Sequence, residues 1–171
     1  MLMDALAALL QRKAYEDISI QEIADEATLN RNTFYLHYPD KTALLQAMTE
    51  TRFRRLIALR GISFTDCNGA LRAIALGVCD YLTELTNCPA KGALIPLEGS
   101  IIPVVEGMFL EGAAHHAAVP GISAALIATT AAWGVFGAAR RWHQSSERIP
   151  AEQMAAKIEA MVKPVFLNSF K

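Results

Sequence analysis

Apolar residues recur at helical spacing along most of this chain, and nowhere do they alternate as a half-buried strand requires. Leu2, Leu6, Leu9 and Leu10 fall at i, i+4, i+7 and i+8, and Ile20, Ile23, Ala24 and Ala27 repeat the pattern in a shorter piece. Leu44, Leu45 and Met48 open a longer helix that runs to about Arg60. Leu71, Ile74, Ala75, Val78, Leu82 and Leu85 form a further stripe. Gly and Pro punctuate the region Pro89–Pro120, which is expected to hold short or kinked helices. Two long helices are expected near Gly121–Gln144 and Pro150–Asn168. The pattern predicts an all-α protein of two parts: a unit of three short helices over residues 1–45, and a larger helical body over residues 46–171.

Size and charge narrow the function only by exclusion. The chain has 171 residues, 53% of them hydrophobic, so it can bury a real core and is not disordered. Its net formal charge is −1, and the N-terminal third is itself balanced. Any nucleic-acid binding must therefore rest on a local surface. Cys67, Cys79 and Cys88 are odd in number and form no C-x-x-C pair, which points to buried thiols in a reducing, cytoplasmic compartment. Asp4 interrupts the apolar start and no basic stretch precedes it, which argues against a signal peptide. Ile122 to Ala139 is nearly free of charge, but Ala, Thr and Gly dominate it and Arg140-Arg141 follow. It predicts a helix buried between protein surfaces and no membrane partner. No G-x-S-x-G, P-loop, H-E-x-x-H or dinucleotide fingerprint is present, so no enzyme and no cofactor is expected.

The stretch N-R-N-T-F-Y-L-H-Y-P-D-K, Asn30 to Lys41, carries the most chemistry. Asn30 is a good N-cap, and Leu29 and Phe34 then stand at the two positions of a hydrophobic staple. Phe34 and Tyr38 share an inner face. Arg31 and Tyr35, Thr33 and His37, and Asn32 and Leu36 form stripes that face outward. Ser19 and Glu22 make an S-x-x-E capping box on the preceding helix, and Ala27–Leu29 is a tight turn. Two short helices joined this way make a helix-turn-helix whose second helix is sized for the DNA major groove. Arg31 and Asn32 are placed to reach base edges. Tyr35, His37 and Lys41 are placed to contact phosphates. A cation in the first turn of the next helix opposes the helix dipole, and a phosphate partner would give Lys41 a reason to be there.

Residues 4–57 resemble the DNA-binding domain of TetR-family transcriptional regulators. The resemblance rests on Tyr15, on S-I-Q-E-I-A at Ser19–Ala24, and on T-F-Y-L-H-Y-P-D-K at Thr33–Lys41, close to the family's T-F-Y-x-H-F-x-x-K. It implies double-stranded operator DNA as partner, with contacts from Asn30, Arg31, Asn32, Thr33, Tyr35, His37 and Lys41 and with Ser19 near a phosphate. This chain departs from the family at Ala14, Thr28 and Asn32, where glycine is common. Thr28 stands where a positive φ is expected, and a β-branched residue there costs on the order of 1 kcal/mol. Asn32 adds a side chain at the DNA surface.

The resemblance also implies a body that forms a homodimer and holds an unidentified small-molecule effector. Trp133, Phe136, Gly137 and Arg140, with Met154, Ile158, Met161 and Val165 on the last helix, are the expected dimer interface. Small residues such as Gly134 would let another helix approach closely. Cys79, Leu82, Ile102, Val105 and Phe109 are the expected pocket lining, with Leu94 beside them and Glu98 and Glu106 as polar anchors. Packed core fits the same residues. Glu111, His115 and His116 are too few for a convincing metal site, and none is expected. The function expected is a repressor released from a palindromic operator by its effector. A ligand-independent DNA-binding dimer, and a helical scaffold that has lost DNA binding and acts through protein contacts, fit the same pattern.

Overall fold

In the computed structural model, residues 1–59, 67–86, 97–114, 119–167 and 169 are described. They form α1 (Leu2–Leu10), a 3₁₀ turn (Tyr15–Asp17), α2 (Ile20–Glu26), α3 (Arg31–His37), α4 (Lys41–Leu59), α5 (Cys67–Thr86), α6 (Leu97–Ala113), α7 (Ala124–His143) and α8 (Ala151–Leu167). No strand occurs among the described residues. None of their helices is long and apolar enough to cross a membrane.

Two hydrophobic cores organise these helices. Leu2, Leu6, Leu9 and Leu10 of α1 pack with Tyr15, Ile18, Ile23, Ala27 and Phe34. The second core gathers α5 to α8 around Ile74, Val78, Ile101, Val105, Val135 and Ile158. The helix α4 belongs to both, with Leu44 and Leu45 in the first core and Phe53 and Ile57 in the second. It packs on α1 at one end and on α5 and α6 at the other.

The seam between α4 and the body is close and partly polar. At Gly77 of α5 an added Cβ would stand 2.9 Å from Ile57 Cγ1 and 3.1 Å from the Phe53 ring, so glycine is what lets the two helices meet. One turn away Thr49 Oγ1 and the Tyr81 hydroxyl, both buried, lie 3.3 Å apart. Ser100 of α6 adds a hydrogen bond to the same hydroxyl, whose pKa is raised chiefly by burial. At the rim Arg52 pairs with Glu84 at 2.8 Å, and Arg54 pairs with Glu111 at 2.9 Å.

Of the short or kinked helices expected between Pro89 and Pro120, the short ones are corrected for the described part. Residues 97–113 are one continuous helix with Pro103 inside it. Pro103 lies on the exposed side, where a missing N–H is tolerated. Its missing donor leaves the carbonyl four residues back, that of Gly99, without a helical partner. Gln46 Nε2 of α4 donates to that carbonyl at 3.4 Å. The proline thus frees an acceptor that α4 uses. Cys88, Leu94, His115 and His116 lie outside the described residues, as does the side chain of Cys67.

The Gly77 contact yields a stability prediction. Gly77→Val is expected to lower the unfolding free energy by about 2 kcal/mol in a denaturant titration, because overpacking at a closed seam outweighs the gain in helix propensity.

Candidate nucleic-acid interface

The polar face of α3 is presented by a frame that satisfies its own backbone ends. Ser19 caps α2: its Oγ accepts from the Glu22 N–H at 3.2 Å, and its own N–H donates to Glu22 Oε2 at 2.8 Å. Lys13 pairs with the other Glu22 oxygen. The Lys13 hydrogen bond and then the Ser19 amide and hydroxyl hold the Glu22 carboxyl down at about 2, from an ordinary 4.5. A depressed carboxylate stabilises the fold above its unfolded pKa, and that contribution disappears as pH falls through 4.5 toward 2.

Between the helices the chain makes a Schellman turn. The Leu29 N–H donates to the Ala24 carbonyl at 2.8 Å and the Thr28 N–H to that of Asp25 at 3.0 Å. Thr28 takes the left-handed position at φ 55°. Its hydroxyl donates to the Ala27 carbonyl at 2.7 Å. Ala14, by contrast, has φ −65° and ψ 150°, which any L-residue adopts, so alanine there carries no penalty.

Asn30 then starts α3. Its Oδ1 accepts from the Thr33 N–H at 2.8 Å and from the Thr33 hydroxyl at 3.0 Å. Both side chains are therefore engaged in the cap, and Asn30 is exposed. Phe34 is fully buried, and Leu29 packs against the same core, as a hydrophobic staple requires. Tyr38 lies one residue beyond the helix, half-buried, with its ring 6.1 Å from that of Phe34. On the outer side Arg31, Asn32, Tyr35, Leu36 and His37 are all exposed. Arg31 Nη2 donates to the Tyr35 hydroxyl at 3.1 Å, one turn away, which orients both groups on one stripe.

Lys41 has an employment that spacing did not reveal. Its ammonium donates to the carbonyls of Tyr15 at 2.8 Å, Glu16 at 3.1 Å and Ile18 at 2.8 Å, and stands 4.5 Å from the centre of the Tyr15 ring. A phosphate partner is therefore not the only reason for a cation in this first turn, because the chain itself supplies three acceptors. Asp40 provides the favourable charge at that helix end, its Oδ1 accepting from the Ala43 N–H at 2.8 Å.

The body sorts the expected interface and pocket residues by burial. Leu126, Trp133 and Met161 are 58%, 51% and 59% exposed, and Gly137 and Arg140 share the outer side of α7. Met154 and Val165 are half-buried on α8. Phe136 and Ile158 are corrected: at 1% and 0% exposure they fill the monomer's own core and have no surface to give a partner. Gly134 is exposed, and a Cβ added there would stand 3.4 Å from Val162 Cγ2 of α8, an ordinary contact. Trp142 is tied internally by its indole N–H to the Ile149 carbonyl at 2.8 Å. Cys79, Leu82, Ile102, Val105 and Phe109 are all buried in the second core. Burial, with the charges of Asp80 and Glu152, pushes the Cys79 thiol up to about 12, so it is an inert core group. Glu98 pairs with Arg140, Glu106 accepts from the Thr129 hydroxyl at 2.7 Å, and Glu111 serves Arg54.

A capped helix, a left-handed turn and a second helix with a polar outer face, carried on an all-α body, define a helix-turn-helix protein. Residues 2–48 match the pattern of the bacterial regulatory proteins of the tetR family. Over its length the chain has the fold of TetR-family regulators. A TetR-family regulator from Streptomyces coelicolor A3 superposes with a TM-score of 0.64 at 12% identity, over 97% of this chain and 92% of that one. A TetR transcriptional regulator from Rhodococcus sp. RHA1 gives 0.55 at 15%, over 98% and 95%. RolR, in complex with its ligand resorcinol, gives 0.52 at 19%, over 94% and 84%. No curated protein matches the sequence.

Two substitutions test this reading of the frame in the absence of DNA. Thr28→Gly is expected to stabilise the protein by about 0.5–1 kcal/mol in a denaturant titration, by relieving the left-handed threonine. Lys41→Met is expected to destabilise it by about 2 kcal/mol in the same measurement, because three carbonyls lose a charged donor. Unchanged stability in Lys41→Met would mean that the clamp contributes nothing and that the residue serves only an external partner.

Proposed function

We propose that this protein is a homodimeric DNA-binding transcriptional regulator of the TetR type, acting as a repressor. The observation that carries this reading is the outer face of α3. Arg31, Asn32, Tyr35 and His37 stand in solvent on a helix whose opposite side is anchored by a fully buried Phe34. Arg31 and Asn32, near the helix start, are suited to base edges. Tyr35 and His37 are suited to phosphates, with the Asn30 amide, Thr33 and the Ser19 end of α2 beside them. Lys41 remains in this set only in a second role, beside its clamp.

Dimerisation is supported by the outer faces of α7 and α8. Leu126, Trp133, Gly137 and Arg140 follow one side of α7, and Met161 with the half-buried Met154 and Val165 follows α8. Large apolar side chains left in water next to small residues suit a helix-pair interface. A two-fold dimer would set paired recognition helices about 34–36 Å apart, one turn of duplex.

Effector control is supported by the seam. Any rearrangement of α5 and α6 acts on α4 through the Thr49–Tyr81–Ser100 cluster and the Gln46–Gly99 bond, and α4 carries α3. A small molecule bound more tightly by one arrangement would shift the spacing of the two recognition helices. The likeness to RolR, which holds resorcinol, agrees with a small-molecule effector. A second reading, a dimer without an effector, is favoured by the close packing of the expected pocket residues in the second core.

Selection of bound duplexes from a random library at low salt tests the main reading. Recovered sites should contain two inverted half-sites, and binding should weaken steeply as salt rises. Recovery of no duplex would contradict it. Trp133→Glu is expected to keep the helical content, to give a monomer in sedimentation, and to bind the recovered duplex at least tenfold more weakly.

A further inference from the structure

Leu36 is the most exposed large hydrophobic residue of the N-terminal unit, ahead even of the chain's first methionine. It is 82% accessible, and it lies on the outer side of α3, one turn after Asn32 on the same stripe. It belongs to neither hydrophobic core and does not pack against their edges. Its neighbours on that face, Arg31, Asn32, Tyr35 and His37, all offer polar groups. A lone leucine on an ordinary surface needs no explanation. A leucine in the last turn of a short helix otherwise arranged to present hydrogen-bonding groups has a more specific surrounding.

A protein partner does not fit this patch. A stable protein interface covers about 800 Å² per side, far beyond one side chain ringed by polar groups. The major groove does offer an apolar feature of the right size. Of the four base-pair orientations, only those with thymine present a methyl group, flanked by acceptors and donors that Asn and Arg can reach. An apolar side chain between polar neighbours matches that pattern.

We propose that Leu36 is a specificity residue that packs on the 5-methyl group of a thymine in each half-site. The proposal rests on the DNA-binding reading above and sharpens it. It gives a base preference to the one position that the T-F-Y-x-H pattern leaves open. Asn32, on the same stripe, is placed to hydrogen-bond a neighbouring base pair, so the leucine contact adds to its discrimination without sharing its chemistry.

The test replaces each thymine of the selected duplex in turn by deoxyuridine. This removes the methyl group and leaves base pairing and groove acceptors unchanged. Wild-type protein and Leu36→Ala are compared by gel shift. Because Leu36 is in solvent, the substitution leaves the core intact, and circular dichroism confirms it. One thymine per half-site is expected to be sensitive in the wild type, with a loss of about fourfold for a methyl-sized contact. Leu36→Ala should show no loss at that position. Indifference of the wild type to every deoxyuridine, or equal loss in both proteins, would overturn the proposal while leaving DNA binding in place. Failure to select any duplex would overturn it together with the reading beneath it.

Discussion

One helix serves two cores, and the rest of the molecule depends on it. Leu44 and Leu45 of α4 close the small core beneath the recognition helix, and Phe53 and Ile57 enter the large one. The small core is built largely from α1 to α3 and would be marginal alone. Sharing α4 lets the body hold it in place. The shared helix is fixed at three levels: glycine at the closest approach, a buried hydroxyl cluster one turn on, and charged pairs at the rim. Exposed pairs contribute little by themselves. The buried hydroxyls fix the register more sharply, because sliding α4 would leave them without partners.

The recognition helix is short, and its position is set by its ends more than by its length. Asn30 caps the start, Phe34 and Leu29 staple it, and Lys41 ties the beginning of α4 to the turn after α1. The same residues that hold α3 therefore limit what it can present. Asn30 and Thr33 bond to each other, and Lys41 is engaged with carbonyls, which leaves Arg31, Asn32, Tyr35, Leu36 and His37 as the exposed outer face, with Arg31 and Tyr35 bonded to each other. Thr28 shows the same economy in reverse. The turn geometry that aims α3 is kept although threonine is strained at φ 55°.

Much of this was legible because local rules and packing agree. The S-x-x-E box, the Asn30 cap, the positive φ at residue 28 and the buried stripe of α5 all follow from residue type at fixed spacing. What spacing missed involved partners distant in sequence. The clamp on Lys41 could not be foreseen because the carbonyls that hold it come from a turn some 25 residues earlier. The length of the helix through Pro103 was not foreseen, because nothing local says that the proline faces solvent or that Gln46 uses the freed carbonyl. Phe136 and Ile158 looked like interface because periodicity finds the apolar side of a helix without telling which neighbour covers it.

The central claim is that the outer face of α3 engages duplex DNA and that α4 carries this engagement into the body. Amide hydrogen exchange, measured with and without a selected duplex, tests both parts at once. The account predicts slower exchange in residues 31–37 and along α4 past Phe53, because a ligand that binds only the closed arrangement suppresses every opening that disturbs it. Unchanged exchange in α3 would contradict DNA engagement by that face, and slowing that stops before Phe53 would contradict the coupling through α4.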